Sequence, residues 1–506
     1  MEQLLFGEVA PASKGLQTRR YWRVTLAEGP RGRLRAAVAY ALALLIVTAT
    51  IQRERFGIPV ELDGPAVALL GILAFLLAPA SALRFWTLPL ILPMTGFVLA
   101  GYASCALNSG DLTSVARAGT PLFSICFSQS AILTYRVIMF YVVFIAASHL
   151  AELRRKPPLI MLSLLLAQTI GSLAFLPLYP TPVSQLFVRG EQFGPGSLAI
   201  MGLFLEPNLF GIYAVTTVAL WMPIALSVER KPALALILAF LQIGIIGVYM
   251  SYTRSTWLAL LAVFCLLAAG VLAGLRVGGE HRRRVILLLG GLVVLGFVLS
   301  LAIALSLGGG EALSALVARG SRVLEYQAGS GAGRLEIWRM ALGEWVHKPW
   351  LGWGLLSFEP TTVSSTNGWL YSSLVQTLHD TGVIGLAFMV WLCVGVAVHS
   401  WRSFTNASNR IDKGIALGYL SAQVALFFTS QFSSFFWGAP TWTLFGLAVA
   451  YGSCLPRGER DDHVGRGRRL LGEAPRPGGP DGAPISPPSD VGGSAELRSF
   501  GVPGAR

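Results

Sequence analysis

Charge is scarce in this sequence. Asp, Glu, Lys and Arg make up 13% of its 506 residues while 54% are hydrophobic, and soluble domains carry about twice that charge density. A soluble globular domain is excluded, and no nucleic-acid partner is expected. Histidine and cysteine are also few, six and five in all. Cys105, Cys126, Cys265, Cys393 and Cys454 lie in or beside apolar runs without metal-ligand spacing. They read as small apolar fillers rather than as disulfide or metal residues. The start of the chain has no apolar core and no small-residue cleavage site, so no signal peptide is expected there.

What the sequence has in abundance is apolar runs of the ~20 residues needed to span a bilayer. The fold expected is an all-α polytopic membrane protein of about twelve transmembrane helices. The runs lie near 36–52, 64–83, 85–104, 132–150, 158–178, 207–227, 232–250, 254–275, 285–307, 381–400, 414–432 and 436–454. They divide the chain into a basic cytoplasmic segment 1–35, nine spans within 36–307, a large outer loop 308–380, three spans within 381–454 and a tail 455–506. The tail is rich in Pro and Gly without apolar periodicity, so a disordered cytoplasmic segment is expected.

The net charge of +13 gains meaning once it is divided by membrane side. With the N-terminus inside, Arg19 to Arg35, Arg84, Arg154 to Lys156, Arg230 and Lys231 fall in inner segments. So do Arg276, Arg282 to Arg284, Arg402, Arg410, Lys413 and the cations after Arg457. Every inner connection is then basic, as the positive-inside rule requires, and both termini are expected in the cytoplasm.

The outer segments nevertheless hold Arg53, Arg55, Arg117, Arg189, Arg254, Arg319, Arg322, Arg334 and Arg339, and Arg136 is expected just inside the outer end of the fourth span. An arginine at membrane depth is costly and usually has an anionic partner or a function. Guanidinium suits phosphate oxygens, so the set suggests an outward anion site. Pairing with Glu191, Glu206, Glu311, Glu325 or Glu336 is the plainer alternative for any one of them.

Three stretches stand out. In Ser251-Tyr252-Thr253-Arg254 a span begins at the outer surface, with Ser251 or Thr253 as cap and Arg254 in the first turn. Helix dipole, free amides and guanidinium would address one anion there. In Glu206-Pro207-Asn208, proline suits the first helical position, and Glu206 is either a cap or a carboxylate able to act as a base. The third stretch is the outer loop itself. Trp338, Ala341, Leu342 and Trp345 give a short helix one apolar face, flanked by Arg334, while Glu336 and Arg339 pair on the other side. Pro349 to Gly354 is a tight turn. A second helix over 368–380 is expected to bury Leu370, Leu374 and Leu378, leaving Ser372, Gln376 and His379 on its polar side. His379 is a candidate general base, with His347 a weaker rival.

The order of these motifs is similar to the O-antigen ligase and polymerase superfamily of bacterial envelope glycan assembly. It runs from Pro207-Asn208 opening one span to Thr253-Arg254-Ser255 opening a later one. A large outer loop follows with Arg334-x-x-x-Trp338, Pro349-x-x-Gly352-x-Gly354 and Leu378-x-x-Thr381-Gly382-x-x-Gly385. The resemblance covers roughly residues 185–400.

It implies inverting glycosyl transfer at the outer face of a bacterial inner membrane, from an undecaprenyl-pyrophosphate-linked glycan to a glycan or lipid acceptor. No metal or other cofactor is implied, and other envelope-assembly proteins are possible partners. Arg254 and Arg334 would be pyrophosphate ligands, and Arg189 is the candidate for the family's arginine upstream of Pro-Asn, at a longer spacing. Where family ligases carry histidine, this chain has Tyr371-Ser372, or Thr366-Asn367 if the loop is longer. His379, His347 or Glu206 would then substitute, or the acceptor needs no strong base, which leans towards a polymerase. The rival from another class is a lipid-glycan flippase or other transporter, which also suits about twelve spans.

Overall fold

The structure, a computed structural model, describes residues 30–51, 63–79, 89–114, 116–117, 119–150, 154–190, 197–272, 280–321, 330–358, 369–433 and 435–455. Arg53, Arg55, Arg84, Glu191, Arg276, Arg322, Glu325, Thr366, Asn367, the first 29 residues and the tail after Leu455 lie outside them, as do the side chains of Arg117, Arg282 and Arg319.

Helices dominate. In chain order they are α1 Pro30–Thr48, α2 Asp63–Leu77, α3 Ile91–Leu107, α4 Ser109–Ser114, α5 Leu122–Ser148, α6 Lys156–Phe175 and α7 Pro207–Ser227. Then come α8 Lys231–Met250, α9 Arg254–Leu272, α10 Glu280–Ser321, α11 Ser330–Trp345, α12 Ser373–Asn406, α13 Arg410–Thr429 and α14 Ala439–Ser453. A helix stands at each of the twelve expected apolar runs. Among the described residues, seven are long and apolar enough to cross a membrane. Among the described residues two antiparallel ribbons interrupt the all-α plan: β1 Ala116–Arg117 with β2 Thr120–Pro121, and β3 Val188–Gly190 with β4 Leu198–Ile200.

Burial follows composition. Helix α7 is apolar on every side, and all residues from Phe210 to Ser227 are buried, as expected of a helix that neighbours surround. It packs on α13, α8, α9 and α6. Helix α10, by contrast, turns Leu287, Val294 and Val298 outward, a surface suited to lipid.

The ends of the bundle differ in chemistry. At one end Asp412, in the first turn of α13, accepts from Arg154 Nη2 at 2.9 Å, Arg155 Nε at 3.1 Å and Tyr451 Oη at 2.8 Å. This cluster ties the α5–α6 connection to α13 and α14. At the other end Cys105, on α3, and Cys126, in the second turn of α5, form a disulfide with Cα atoms 5.9 Å apart. That corrects the reading of these two cysteines as inert fillers.

The reason lies in α5, which begins at Leu122, ten residues before the expected span at 132. Its added turns pack Leu122 and Cys126 against Cys105, Leu112 and Leu355. They also leave Arg136 fourteen residues into the helix, about 21 Å along at 1.5 Å per residue. Cys265, Cys393 and Cys454 are free. Denatured but unreduced protein should therefore take up three maleimides by mass spectrometry and five after reduction; five before reduction would show the disulfide absent.

Candidate functional site

The site is built at the disulfide end, where a lid made of α11, a turn and the first residues of α12 covers the bundle. Its foundation is a pairing of two backbone segments. Trp353 N donates to His379 O and Gly354 N to Asp380 O, each at 2.9 Å. In return Val383 N donates to Pro349 O at 2.9 Å and Ile384 N to Trp350 O at 3.2 Å. Gly352 and Gly382 sit at the crossing with φ of +68° and +64°. A Cβ on Gly352 would lie 2.3 Å from His379 O, and one on Gly382 would lie 2.3 Å from the Trp350 carbonyl carbon. Both positions need glycine on two counts, conformation and space.

Gly382 also breaks α12, so the span proper begins after it and residues 373–381 belong to the lid. The amides that the break releases are the ones that bind the turn. The bundle adds support from below. Ser104 Oγ donates to Asp380 O at 2.8 Å, and Asn108 Nδ2 donates to Gly352 O at 2.9 Å. Leu355 N donates to the disulfide sulfur of Cys126 at 3.0 Å.

This arrangement inverts the expected facing of residues 373–381. The buried side is the polar one, with Ser373, Gln376, Thr377, His379 and Asp380, while Leu374 and Leu378 are only partly covered. Polar side chains face inward here because the neighbouring turn presents backbone groups that require partners. Asp380 Oδ2 accepts from Leu356 N at 2.9 Å and Gln376 Nε2 at 2.7 Å. His379 is 1% exposed. Its Nδ1 lies 2.8 Å from Asp380 Oδ1 and its Nε2 lies 3.0 Å from Glu344 Oε2 of α11. The Phe358 ring covers it edge-on. Burial pushes the imidazole pKa down, but the hydrogen bonds and charges of Asp380 and Glu344 outweigh it and raise it to about 8. His347 is exposed at the end of the same α11 segment.

Arg334 lies over the Tyr371 ring, and the charge of Glu206 acts on the same phenol. Helix α11 buries Ile337 and Ala341 against Phe358 and Leu370, and Trp338 Nε1 donates to Leu370 O at 2.7 Å. Leu370 N donates to Gln376 Oε1 at 2.7 Å, and Ser372 Oγ accepts from Val375 N to cap α12. Tyr371 is held between these anchors with a φ of +52°, a strained conformation for a residue with a side chain. The Arg334 guanidinium lies 5.3 Å from its ring centroid, within cation–π range. The phenol is pushed up by burial and then by the Glu206 charge, with Arg334 opposing.

Glu206 is not the helix cap that its position suggests. It stands at the N-cap of α7 with extended backbone but makes no capping hydrogen bond. Its Oε2 accepts instead from Asn208 Nδ2 at 3.0 Å, and the residue is half-buried. The second turn of α7 lies against the turn that opens α9: a Cβ on Gly211 would fall 2.5 Å from Ser251 Oγ. Arg254 follows that turn as the first residue of α9. Ser251 Oγ donates to Val248 O and Thr253 Oγ1 to Ser251 O, so both hydroxyls serve the turn.

Arg189 lies on β3, exposed and opposite Ala199. Arg136 is buried and pairs with Asp63, the first residue of α2, at 2.5 Å, which supplies the anionic partner that an arginine at that depth requires. Two participants were not picked out from sequence. Glu344 carries no local signal, because only the fold brings it to His379. Tyr371 entered only through the resemblance, in one of the two stretches, Tyr371-Ser372 or Thr366-Asn367, expected at the place of a family histidine.

Residues 234–390 match the family model described as O-Antigen ligase. The match runs from α8 into the first half of α12 and so takes in Arg254, Arg334, Tyr371 and His379. It bears out the resemblance to the O-antigen ligase and polymerase superfamily. A search of curated proteins found no match.

A buried ion pair that loses one partner leaves a charge uncompensated, at about 3–5 kcal/mol. Asp63→Asn should lower the unfolding temperature in detergent, and adding Arg136→Leu should restore part of the loss. Equal unfolding temperatures for Asp63→Asn and wild type would show that the pair carries no such burden.

Proposed function

We propose, for a chain of the O-antigen ligase and polymerase superfamily, that the lid end faces outward and catalyses glycan transfer there. The donor is an undecaprenyl-pyrophosphate-linked glycan and the acceptor a hydroxyl of a second glycan or lipid. Two features support this sidedness. The inner connections are basic under the positive-inside rule, and a disulfide suits the oxidising side of a bacterial inner membrane.

The observation that carries the reading is Arg334 lying over the Tyr371 ring, with the charge of Glu206 acting on the same phenol. Glu206 stands at the start of α7, whose second turn lies against the turn that opens α9. Arg334 and Arg254, with the amides at the start of α9, bind the donor pyrophosphate. Glu206 takes the proton of the acceptor hydroxyl as its oxygen attacks the anomeric carbon from the opposite face. The bond from that carbon to the pyrophosphate oxygen breaks, and undecaprenyl pyrophosphate leaves with its new charge held by the two guanidiniums. Inversion follows from the single displacement. Stabilisation of the leaving group supplies most of the rate, as in other electrostatically driven transfers.

Glu206 suits the role of base better than His379 on access. Glu206 is half-buried at the start of α7, whereas the imidazole is enclosed with carboxylates on both nitrogens. The test is reconstituted protein in liposomes with a lipid-pyrophosphate oligosaccharide, following undecaprenyl pyrophosphate release and glycan length. Arg254→Ala and Arg334→Ala should each cut turnover about 10²–10³-fold, and Glu206→Gln about 10²–10⁴-fold. Longer glycans would identify a polymerase, and release only with a second acceptor a ligase. Donor crossing the bilayer intact, without release, would overturn the reading.

A further inference from the structure

Helix α11 carries Arg334 near its start and Glu344 near its end, and Glu344 meets His379 of the lid segment at 3.0 Å. The other imidazole nitrogen is held by Asp380, whose own backbone carbonyl accepts from Ser104 Oγ and Gly354 N. Asp380 is thus fixed to the bundle by backbone contacts, while Glu344 belongs to α11, which side chains join to the rest of the lid: Trp338 Nε1 donates to Leu370 O and Trp353 Nε1 to Glu344 O. We propose that His379 is a positioning residue: as an imidazolium bridging Asp380 and Glu344, it clamps α11, and with it Arg334, onto the start of α12. The clamp stands on this geometry alone, and its effect on turnover rests on the glycan-transfer reading.

The chemistry of the bridge gives it a direction. An imidazolium has two N–H groups and satisfies both carboxylates, whereas neutral imidazole has one and turns a lone pair towards the other. Asp380 is 1% exposed and has further donors in Leu356 N and Gln376 Nε2. The Glu344 side chain is 46% exposed and can turn to water. Deprotonation therefore releases Glu344, and α11 loosens.

The charged groups facing the ring are Asp380 from its own element and Glu344 from α11. Lys348 of the turn is engaged with Asn108 Oδ1 and Asp111 Oδ2. With the imidazole pKa raised from 6.5 to about 8 in the fold, the stabilisation is complete below about 6.5. It is lost as pH rises through about 8. A general base behaves the opposite way: it works only when neutral, so activity would climb through the same window.

The experiment uses the full chain in lipid nanodiscs from pH 6 to 9.5, comparing wild type, His379→Gln, Glu344→Gln and His347→Gln. Hydrogen exchange in α11, corrected for the intrinsic pH dependence of amide exchange, reads the clamp without any substrate. Protection of α11 should fall above about pH 8 in wild type and in His347→Gln, and be low throughout in His379→Gln. Glu344→Gln should flatten the profile, because an amide can donate to the neutral ring.

In the transfer assay, KM for the donor should rise on the order of 10-fold across that limb, with kcat changing less, since a displaced Arg334 weakens donor binding. Exchange in α11 that ignores both pH and His379→Gln would overturn the clamp. Activity rising through pH 8, with kcat abolished in His379→Gln, would overturn it in favour of a base. Absence of transfer by wild type at every pH would count against the glycan-transfer reading alone, because exchange still decides the clamp.

Discussion

The lid depends on one contact, the backbone-to-backbone crossing of residues 349–354 and 379–384. Two peptide segments approach closely enough that a single Cβ on either glycine would overlap a carbonyl. Each supplies hydrogen-bond donors to the other. A crossing this tight cannot be assembled from side chains, whose bulk would hold the segments apart. It needs glycine at Gly352 and Gly382, and it needs a helix that stops and restarts, so that amides otherwise spent within the helix can reach outward. The break in α12 is therefore what joins a membrane helix to the cover above it.

The rest of the site follows from that crossing. With the turn fixed, the polar side of residues 373–381 has backbone to satisfy and points inward. That draws Asp380 and His379 into the interior and brings Glu344 of α11 to the ring. Trp338 then reaches Leu370 O, and Tyr371 is strained between two anchored neighbours with Arg334 on its ring. The disulfide acts at the base of the same chain of contacts: it joins α3 to α5 and presents its sulfur to Leu355 N. Packing, backbone satisfaction and charge thus converge on one small region.

Much of the helical framework was legible because hydropathy is a property of runs, and a run of twenty apolar residues leaves few alternatives. The start of α7 was legible too, since proline at Pro207 marks a first helical position. What failed was local. The facing of residues 373–381 was inverted because periodicity says which residues share a face, not which face a lid presents to its support. Cys105 and Cys126 looked like their apolar neighbours, and only the earlier start of α5 brings them together. Asp63 gave Arg136 its partner from 73 residues away, a separation at which no spacing rule operates. Gly352 and Gly382 were visible as motif glycines, but their reason for being glycine is each other's backbone.

The fates of the arginines show how depth sorts cations in such a chain. Inside a span an arginine must be neutralised where it stands, and Arg136 has a carboxylate from a neighbouring helix at 2.5 Å. At the other end of the bundle, Arg154 and Arg155 share one buried aspartate and act as ties between connections. Arg254 and Arg334 occupy a third setting, at the first turn of one helix and near the start of another. There Arg254 stands at a helix start and Arg334 lies over an aromatic face, each only partly buried. Under the proposed transfer an anionic ligand adds to that setting, and the binding energy goes to holding a leaving pyrophosphate rather than to holding the fold together.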